Sequence, residues 1–181
     1  MNEKDNFIIV IFGASGDLAW RKLIPALYSA YYQSLLSEKF AIVGVGRSAL
    51  TDEVFHRKMT EGLEQFVPQE FNDSEKFSDF CEKLFYHSME TDKKDDYQEL
   101  KIHLDKLSAT MECRKNYLFY FAIPPLMYAQ VAQYLHYTGL TDTENGWKRV
   151  IVEKPFGHDY ESAVKLNGEL LEYFTEDQIY R

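Results

Sequence analysis

Short apolar runs alternate along this chain with longer stretches in which apolar residues recur every three or four positions. The nearly continuous apolar runs predict strands of a parallel sheet that is covered on both faces. The longer stretches predict amphipathic helices, because that spacing places apolar side chains on one side of a helix. The predicted strands cover residues 8–12, 40–45, 85–87, 116–122 and 149–152, and a further strand begins at residues 178–181.

The predicted helices lie between these strands, at residues 17–36, 52–66, 74–84, 92–107, 126–137 and 160–174. Thr51 and Asp159 are expected to cap the second and the last of them, because their side-chain oxygens can accept bonds from first-turn N–H groups. Pro25 is expected to kink the first helix, unless that helix begins near residue 23 or 24. The helical spacing also predicts that Leu35 and Leu171 are buried.

The alternation of strands and helices favours an α/β fold with right-handed crossovers. We therefore predict a Rossmann-type, doubly wound parallel sheet with helices on both faces. The 181 residues fit a single domain, residues 1–181, which can bury roughly two thirds of the surface of the unfolded chain.

A turn with two glycines joins the first predicted strand to the first helix. Glycine allows a positive φ and a close approach of the backbone, and the N-terminus of the following helix favours an anion. This turn therefore predicts a site for the pyrophosphate of a dinucleotide. The glycine spacing differs from G-x-G-x-x-G, so a tight turn of another α/β domain remains an alternative. The turn reads Gly13-Ala14-Ser15-Gly16-Asp17-Leu18-Ala19.

Arg47 follows the second predicted strand, where a dinucleotide-binding fold faces the ribose of the adenosine. An acidic residue there would accept the 2′-hydroxyl of NAD, whereas a guanidinium suits the 2′-phosphate of NADP. We therefore predict a preference for NADP. A solvated loop residue is the other interpretation of Arg47.

Two further segments follow later strands and line the same predicted crevice. Pro124 and Pro125 form a stiff corner, and Tyr128 lies one turn into the helix that follows. Tyr128 either reaches the crevice or packs in the core. Lys154 follows the fifth strand, within Glu153-Lys154-Pro155-Phe156-Gly157.

The amino-acid composition mainly shows which partners and sites are not expected. The net charge of -9 would repel nucleic-acid phosphates, so nucleic acid is not an expected partner. Cys81 and Cys113 have no C-x-x-C spacing, and the five histidines form no pair at metal-ligand intervals, so we expect neither a metal nor a disulfide, and a cytoplasmic location. No signal peptide is expected, and no apolar run approaches the ~20 residues of a membrane span.

Four motifs, taken together, resemble the N-terminal half of glucose-6-phosphate dehydrogenase. The resemblance extends over essentially the whole chain. It implies that the complete enzyme oxidises glucose 6-phosphate to 6-phosphogluconolactone and transfers hydride to NADP in the pentose phosphate pathway. The motifs are the turn from Gly13 to Ala19, Gly46-Arg47-Ser48, Pro124-Pro125-x-x-Tyr128, and Glu153-Lys154-Pro155-Phe156-Gly157.

The resemblance also implies roles for individual residues. The turn would hold the NADP pyrophosphate, Arg47 would contact the 2′-phosphate, and Tyr128 would lie beside the cofactor. Lys154 would reach both the cofactor and the sugar phosphate, which makes it the candidate catalytic residue. The cofactor-binding residues are then Gly13, Ala14, Ser15, Gly16, Asp17, Leu18, Ala19, Arg47, Tyr128 and Lys154. Trp20 and His158 stand where the family usually has a basic residue.

The family's sugar-phosphate segment and its second domain follow the region that this chain resembles. That domain carries the histidine base and the dimer interface, so we expect the 181 residues alone to be inactive and the complete enzyme to be a homo-oligomer. Two other functions remain open. One is a stand-alone nucleotide-binding or redox-sensing module, and the other is a sugar-phosphate dehydrogenase or reductase with a different substrate range.

Overall fold

The computed structural model describes residues 6–67, 73–112, 114–154, 156–157 and 159–181. Within these residues six strands form one parallel sheet, in the order β3-β2-β1-β4-β5-β6. The strands are β1 (Phe7–Phe12), β2 (Phe40–Gly46), β3 (Leu84–Ser88), β4 (Tyr117–Phe121), β5 (Lys148–Val152) and β6 (Ile179–Tyr180).

The helices that connect these strands lie on both faces of the sheet. They are α1 (Ile24–Tyr32), α2 (Asp52–Phe66), α3 (Ser74–Cys81), α4 (Asp96–Thr110), α5 (Tyr128–Tyr137) and α6 (Tyr160–Leu171). Successive residues of β1 point to opposite faces, so this central strand contributes to two hydrophobic clusters. One cluster contains residues of α1, α2 and α3, and the other contains residues of α4, α5 and α6. We call the two sides the α1–α3 face and the α4–α6 face.

This strand order confirms the predicted Rossmann-type fold. The chain builds the sheet outward from β1 to β3, returns to the other side of β1, and continues outward from β4 to β6. The carboxyl ends of all parallel strands lie at one edge, and a crevice forms where the direction reverses, between β1 and β4. The fold therefore has its expected ligand site at the ends of these two central strands.

The first helix differs from the prediction. Helical conformation begins at residue 17, passes through a π-helical turn at Ala19–Leu23 and continues as α1, which ends at Tyr32. The regular α-helix α1 begins only at Ile24, as the alternative expected, and Pro25 lies in its first turn, directly after the π-helical turn. Ser34 has a positive φ of 55°, which turns the chain out of the helix and leaves Leu35 64% exposed. The predicted burial of Leu35 was wrong.

Four other predictions differ from the structure. Helix α3 ends at Cys81 and α4 begins only at Asp96. Leu171 is 42% exposed because it lies at the end of α6, beyond the buried Leu166 and Leu170. In β4 the alternate residues, rather than all of them, are fully buried, because helices cover its α1–α3 face less completely than its other face.

The predicted helix caps are confirmed at both positions. The Thr51 hydroxyl accepts a bond from the Val54 N–H at 3.4 Å, and the Asp159 carboxylate accepts one from the Ser162 N–H at 2.8 Å. The expectation that Cys113 forms no disulfide falls outside the described residues. In the described part of the chain, no helix has the length and apolar character that crossing a bilayer requires.

Side chains of α2 also protect the exposed edge of the sheet at β3. The Asp52 carboxylate accepts the Tyr86 N–H at 2.7 Å, and the His56 imidazole bonds to the Leu84 carbonyl. An open strand edge otherwise invites pairing with another chain. These two bonds tie α2 to β3, and α2 also packs against the π-helical turn at Ala19–Leu23.

Candidate functional site

The candidate site lies at the reversal point of the sheet, where the turn after β1 meets the segment after β4. Gly13 has a φ of +85°, and a β-carbon on it would overlap the Ala122 carbonyl oxygen and stand 3.0 Å from the carbonyl carbon. Only glycine fits this backbone and this contact. The Ala122 N–H donates to the Phe12 carbonyl at 3.0 Å, which holds the two segments side by side.

The turn folds back onto the end of β2. The N–H groups of Gly13 and Ala14 both donate to the Val45 carbonyl, at 2.8 and 3.0 Å, and the Gly16 N–H donates to the Gly13 carbonyl at 3.0 Å. These three donors are therefore engaged within the protein. Helical conformation begins at Asp17, and the first N–H groups of a helix have no intrahelical acceptor. The groups best placed for a phosphate are those from Asp17 onward.

The predicted residues of the turn differ in exposure. Gly16 and Asp17 are exposed, and Ser15 and Leu18 are partly exposed. Ala14 and Ala19 are buried, so any contribution of theirs to ligand binding would come through the backbone. The accessible part of the turn therefore runs from Ser15 to Leu18.

Two glycines in β2 make room for this turn. A β-carbon on Gly44 would stand 2.6 Å from the Phe55 ring and 2.8 Å from the Ala14 side chain. A β-carbon on Gly46 would stand 3.0 Å from the Ser15 hydroxyl oxygen. These glycines were not among the site residues predicted from the sequence, although glycine inside a strand is a signal of close backbone approach.

Lys58 is a third residue of the site that was not predicted from the sequence. Its ammonium group, on α2, donates to the Ser15 carbonyl at 2.6 Å. This hydrogen bond holds the turn against α2 and places a positive charge next to the turn. Its position on an amphipathic helix carries no sequence signal, because the contact depends on how α2 packs against the turn.

The side chains that follow the turn serve packing and a surface ion pair. Trp20 packs on Phe66 with ring centres 5.2 Å apart, and its carbonyl lies against Gly62 of α2. Arg21 pairs with Asp17 at 3.3 Å, and both side chains are at least half exposed. Such a pair contributes little to stability, and it places the Arg21 charge beside the turn.

Arg47 lies on one side of the turn, directly after β2, and is exposed. Its loop is anchored from β3, because the Tyr86 hydroxyl donates to the Ser48 carbonyl at 3.0 Å and the Met89 N–H donates to the Gly46 carbonyl at 3.0 Å. Among the described residues no carboxylate forms an ion pair with Arg47. The guanidinium therefore projects from a fixed loop.

Lys154 lies on the other side of the turn, after β5, and is exposed. Pro155 and His158 are outside the described residues. The end of β2 and the end of β5 are separated by three strand spacings, or roughly 14 Å. Arg47, the turn and Lys154 thus form a row along one edge of the sheet, which suits an elongated ligand with several phosphates.

Tyr128 is fully buried, which corresponds to the core alternative for its ring. Its hydroxyl donates to the Phe121 carbonyl at 3.4 Å and accepts the Glu153 N–H at 3.3 Å. Burial raises the pKa of this hydroxyl, so it stays protonated. Tyr128 thus binds the backbone of Glu153, the residue before Lys154 at the end of β5. Its direct contact with a cofactor stays a prediction.

The comparisons with known proteins agree with this geometry. Residues 10–181 match the family model described as glucose-6-phosphate dehydrogenase, NAD binding domain. The chain is 44% identical over 177 residues to the glucose-6-phosphate 1-dehydrogenase of Aggregatibacter actinomycetemcomitans, and covers 35% of it with 98% of its own length. It is 41% identical over 180 residues to the Bacillus subtilis enzyme, and covers 35% of that protein with 99% of its own length.

A solved structure of glucose-6-phosphate dehydrogenase in complex with its substrate glucose 6-phosphate superimposes on the whole chain. The TM-score is 0.88 and the sequence identity 36%, and the match covers 37% of that protein. The chain therefore spans about a third of the length of the relatives it matches.

These matches confirm the expected class of domain. The relatives are dehydrogenases, which are oxidoreductases, and NADP is the cofactor expected for this family. The matched region includes the turn, Arg47, Tyr128 and Lys154. This chain belongs to the glucose-6-phosphate dehydrogenase family, as its nucleotide-binding domain.

Proposed function

We propose that this chain is the NADP-binding part of an enzyme that oxidises glucose 6-phosphate to 6-phosphogluconolactone in the pentose phosphate pathway. The main support is the turn at Gly13, which is pressed against Ala122 at the reversal point of the sheet. The helix that follows presents its first N–H groups there, and such groups favour a phosphate. The turn would hold the pyrophosphate of the cofactor.

Arg47 supports NADP rather than NAD. The residue is exposed at the end of β2, on the side where a dinucleotide-binding fold receives the ribose of the adenosine. A guanidinium forms two parallel bonds to a phosphate and gains less from a hydroxyl. We expect Arg47 to bind the 2′-phosphate that distinguishes NADP from NAD.

Lys154 would act at the other end of the cofactor. Oxidation of the sugar removes a proton from its 1-hydroxyl group and transfers a hydride from C1 to the nicotinamide. A lysine ammonium beside the reacting groups can bind the sugar phosphate and hold the sugar against the nicotinamide. The general base is expected from the part of the enzyme that this chain does not span. The chain alone should therefore bind NADP and not turn over the sugar.

Titration of the 181-residue chain with NADP and with NAD in a calorimeter tests this proposal. We expect saturable binding of NADP, weaker binding of NAD, and no reduction of NADP when glucose 6-phosphate is added. The Lys154→Ala variant should bind NADP less tightly, whereas Lys165→Ala, which removes an exposed lysine of α6, should bind as the parent chain does. Absence of binding, or turnover by the chain alone, would contradict the proposal.

The partners and the location follow the same proposal. We propose that the complete enzyme forms homo-oligomers through the part that this chain does not span, and that it binds no nucleic acid. We propose a cytoplasmic location, which is supported by the free thiol of Cys81 and by the bacterial relatives. Light scattering of the complete enzyme tests the first of these statements, and a single monomeric species would contradict it.

A further inference from the structure

Glu153, the residue before Lys154, is held from both faces of the sheet. On the α4–α6 face its backbone N–H donates to the Tyr128 hydroxyl at 3.3 Å. On the α1–α3 face its carboxylate accepts a hydrogen bond from the Tyr120 hydroxyl. Both the backbone and the side chain of this residue are therefore bonded to tyrosines of the core, one on each face.

Tyr120 is itself firmly placed. It belongs to β4 and pairs with Ile11 of β1 and Ile151 of β5, so two strands hold its backbone. Its half-buried ring packs against the α1–α3 face. Burial, and then the bond to the Glu153 carboxylate, raise the pKa of its hydroxyl, so that it keeps its proton and remains a donor.

A fixed Glu153 matters because Lys154 has a long and flexible side chain. A lysine side chain loses much rotational freedom when its ammonium group is confined to one place. A rigid attachment at the strand end reduces the space that the ammonium group explores. The proline that follows Lys154 in the sequence also restricts the Lys154 backbone to extended conformations.

We propose that Tyr120 is a positioning residue, which acts with Tyr128 to fix Glu153 and thereby directs the Lys154 ammonium group toward the nicotinamide half of the bound NADP. This inference rests on the proposed function. The direction follows from the order of the strands: Arg47 at β2 serves the adenosine half, and β5 lies on the opposite side of the phosphate turn.

The test compares two ligands that share the adenosine half. NADP occupies the whole row of groups, whereas adenosine 2′,5′-bisphosphate carries only the 2′-phosphate and the first phosphate. The Tyr120→Phe variant of this chain should bind NADP about fivefold more weakly than the parent and should bind adenosine 2′,5′-bisphosphate equally well. A residue with a merely structural role would change both affinities together.

Two further variants make the result specific. Glu153→Gln keeps an acceptor for the Tyr120 hydroxyl and should retain more NADP affinity than Glu153→Ala. Tyr31→Phe is the matched control. Tyr31 is a half-buried tyrosine on the same face of the sheet, and it packs on Phe40 at the amino end of β2, away from the strand ends that form the site. It should leave both affinities unchanged.

The outcomes separate this inference from the proposed function. If the parent chain binds neither ligand, the proposed function fails and the inference fails with it. If the parent binds both ligands and Tyr120→Phe binds NADP equally well, or loses affinity for both to the same extent, only the positioning role is overturned. Thermal unfolding of each variant shows whether the fold is intact. If Tyr120→Phe does not fold, the NADP affinities of Glu153→Gln and Glu153→Ala test the positioning role, and equal affinities would overturn it.

Discussion

Gly13 lies so close to Ala122 that a β-carbon at position 13 would overlap the Ala122 carbonyl oxygen. The contact joins the ends of β1 and β4, where the phosphate turn begins. We expect Gly13→Ala to lower the free energy of unfolding by at least about 2 kcal/mol, because alanine is also strained at the observed φ of +85°. Denaturant unfolding measures this change, and NADP binding should be lost as the turn shifts.

Gly168→Ala is the matched control for that substitution. Gly168 lies in α6, and among the described residues a β-carbon there would meet no heavy atom within 4 Å apart from its chain neighbours and the backbone of its own helix. Alanine should therefore stabilise the chain by up to about 1 kcal/mol through its helix propensity. If both variants lose the same stability, the close contact at Gly13 is not the cause.

The fold could be predicted because its signals are local. Residues 8–12 and 40–45 are continuous apolar runs, which predict strands. Thr51 and Asp159 have side chains that cap helices, so each predicts where a helix begins. The turn from Gly13 to Ala19 could be predicted for the same reason, since the spacing of Gly13 and Gly16 is visible without knowledge of any distant contact, and its role in binding phosphate stays a prediction.

The remaining parts of the site depend on which strands are neighbours. Gly44 and Gly46 matter because β2 lies beside β1, and Lys58 matters because α2 packs beneath the turn. Likewise, the burial of Tyr128 follows from the docking of α5 on β4 and β5. Strand order and helix docking are properties of the whole chain, so no local pattern revealed these contacts.

Arg47 should determine the preference between the two cofactors. The Arg47→Ala variant removes an exposed guanidinium that no described carboxylate pairs with, so the fold should be unaffected. We expect the Kd for NADP to rise by about 10- to 100-fold, as for the loss of a charged hydrogen-bonded pair, and the Kd for NAD to change little. Calorimetric titration with each cofactor measures the ratio.

Arg57→Ala controls for the general loss of positive charge. Arg57 is an exposed residue of α2 and lies outside the row formed by Arg47, the turn and Lys154. It should leave both dissociation constants nearly unchanged. An equal loss of NADP and NAD affinity in Arg47→Ala would remove the assignment of the 2′-phosphate to this residue.

A pair of histidines should make stability depend on pH. The Nδ1 atoms of His87 on β3 and His103 on α4 lie 3.2 Å apart, and within the described residues the buried His87 Nε2 has no hydrogen-bond partner. Burial lowers the pKa of both imidazoles, and the neighbouring Asp96 and Asp52 oppose this only partly. The folded protein therefore resists protonation of the pair.

The sign of the pH dependence follows from these lowered pKa values. Below about pH 6.5 the histidines of the unfolded chain take up protons that the folded chain does not, so the free energy of unfolding decreases as the pH is lowered. Above that pH neither state binds these protons and the effect vanishes. Urea unfolding between pH 8 and pH 5 should give a shallower dependence for His103→Gln than for the parent or for the exposed His136→Gln. Identical slopes would contradict the prediction.

Lys58 should affect cofactor binding through the phosphate turn. Its ammonium group donates to the Ser15 carbonyl at 2.6 Å, so Lys58→Met removes both this hydrogen bond to the turn and a positive charge beside it. Because we propose that the turn holds phosphates of the adenosine half, NADP and adenosine 2′,5′-bisphosphate should lose affinity together, by about three- to tenfold. This common loss differs from the selective loss expected for Tyr120→Phe.

Lys165→Met is the matched control for Lys58→Met. Lys165 is an exposed lysine of α6 whose partner is Glu169, 3.8 Å away on the same helix. A pair of this kind is worth at most about 0.5 kcal/mol, and its loss should not reach the phosphate turn. Calorimetric titration of both variants with both ligands decides. A loss of affinity for NADP alone in Lys58→Met would mean that Lys58 acts on the nicotinamide half. Unchanged affinities for both ligands would mean that the turn keeps its shape without the Lys58 hydrogen bond.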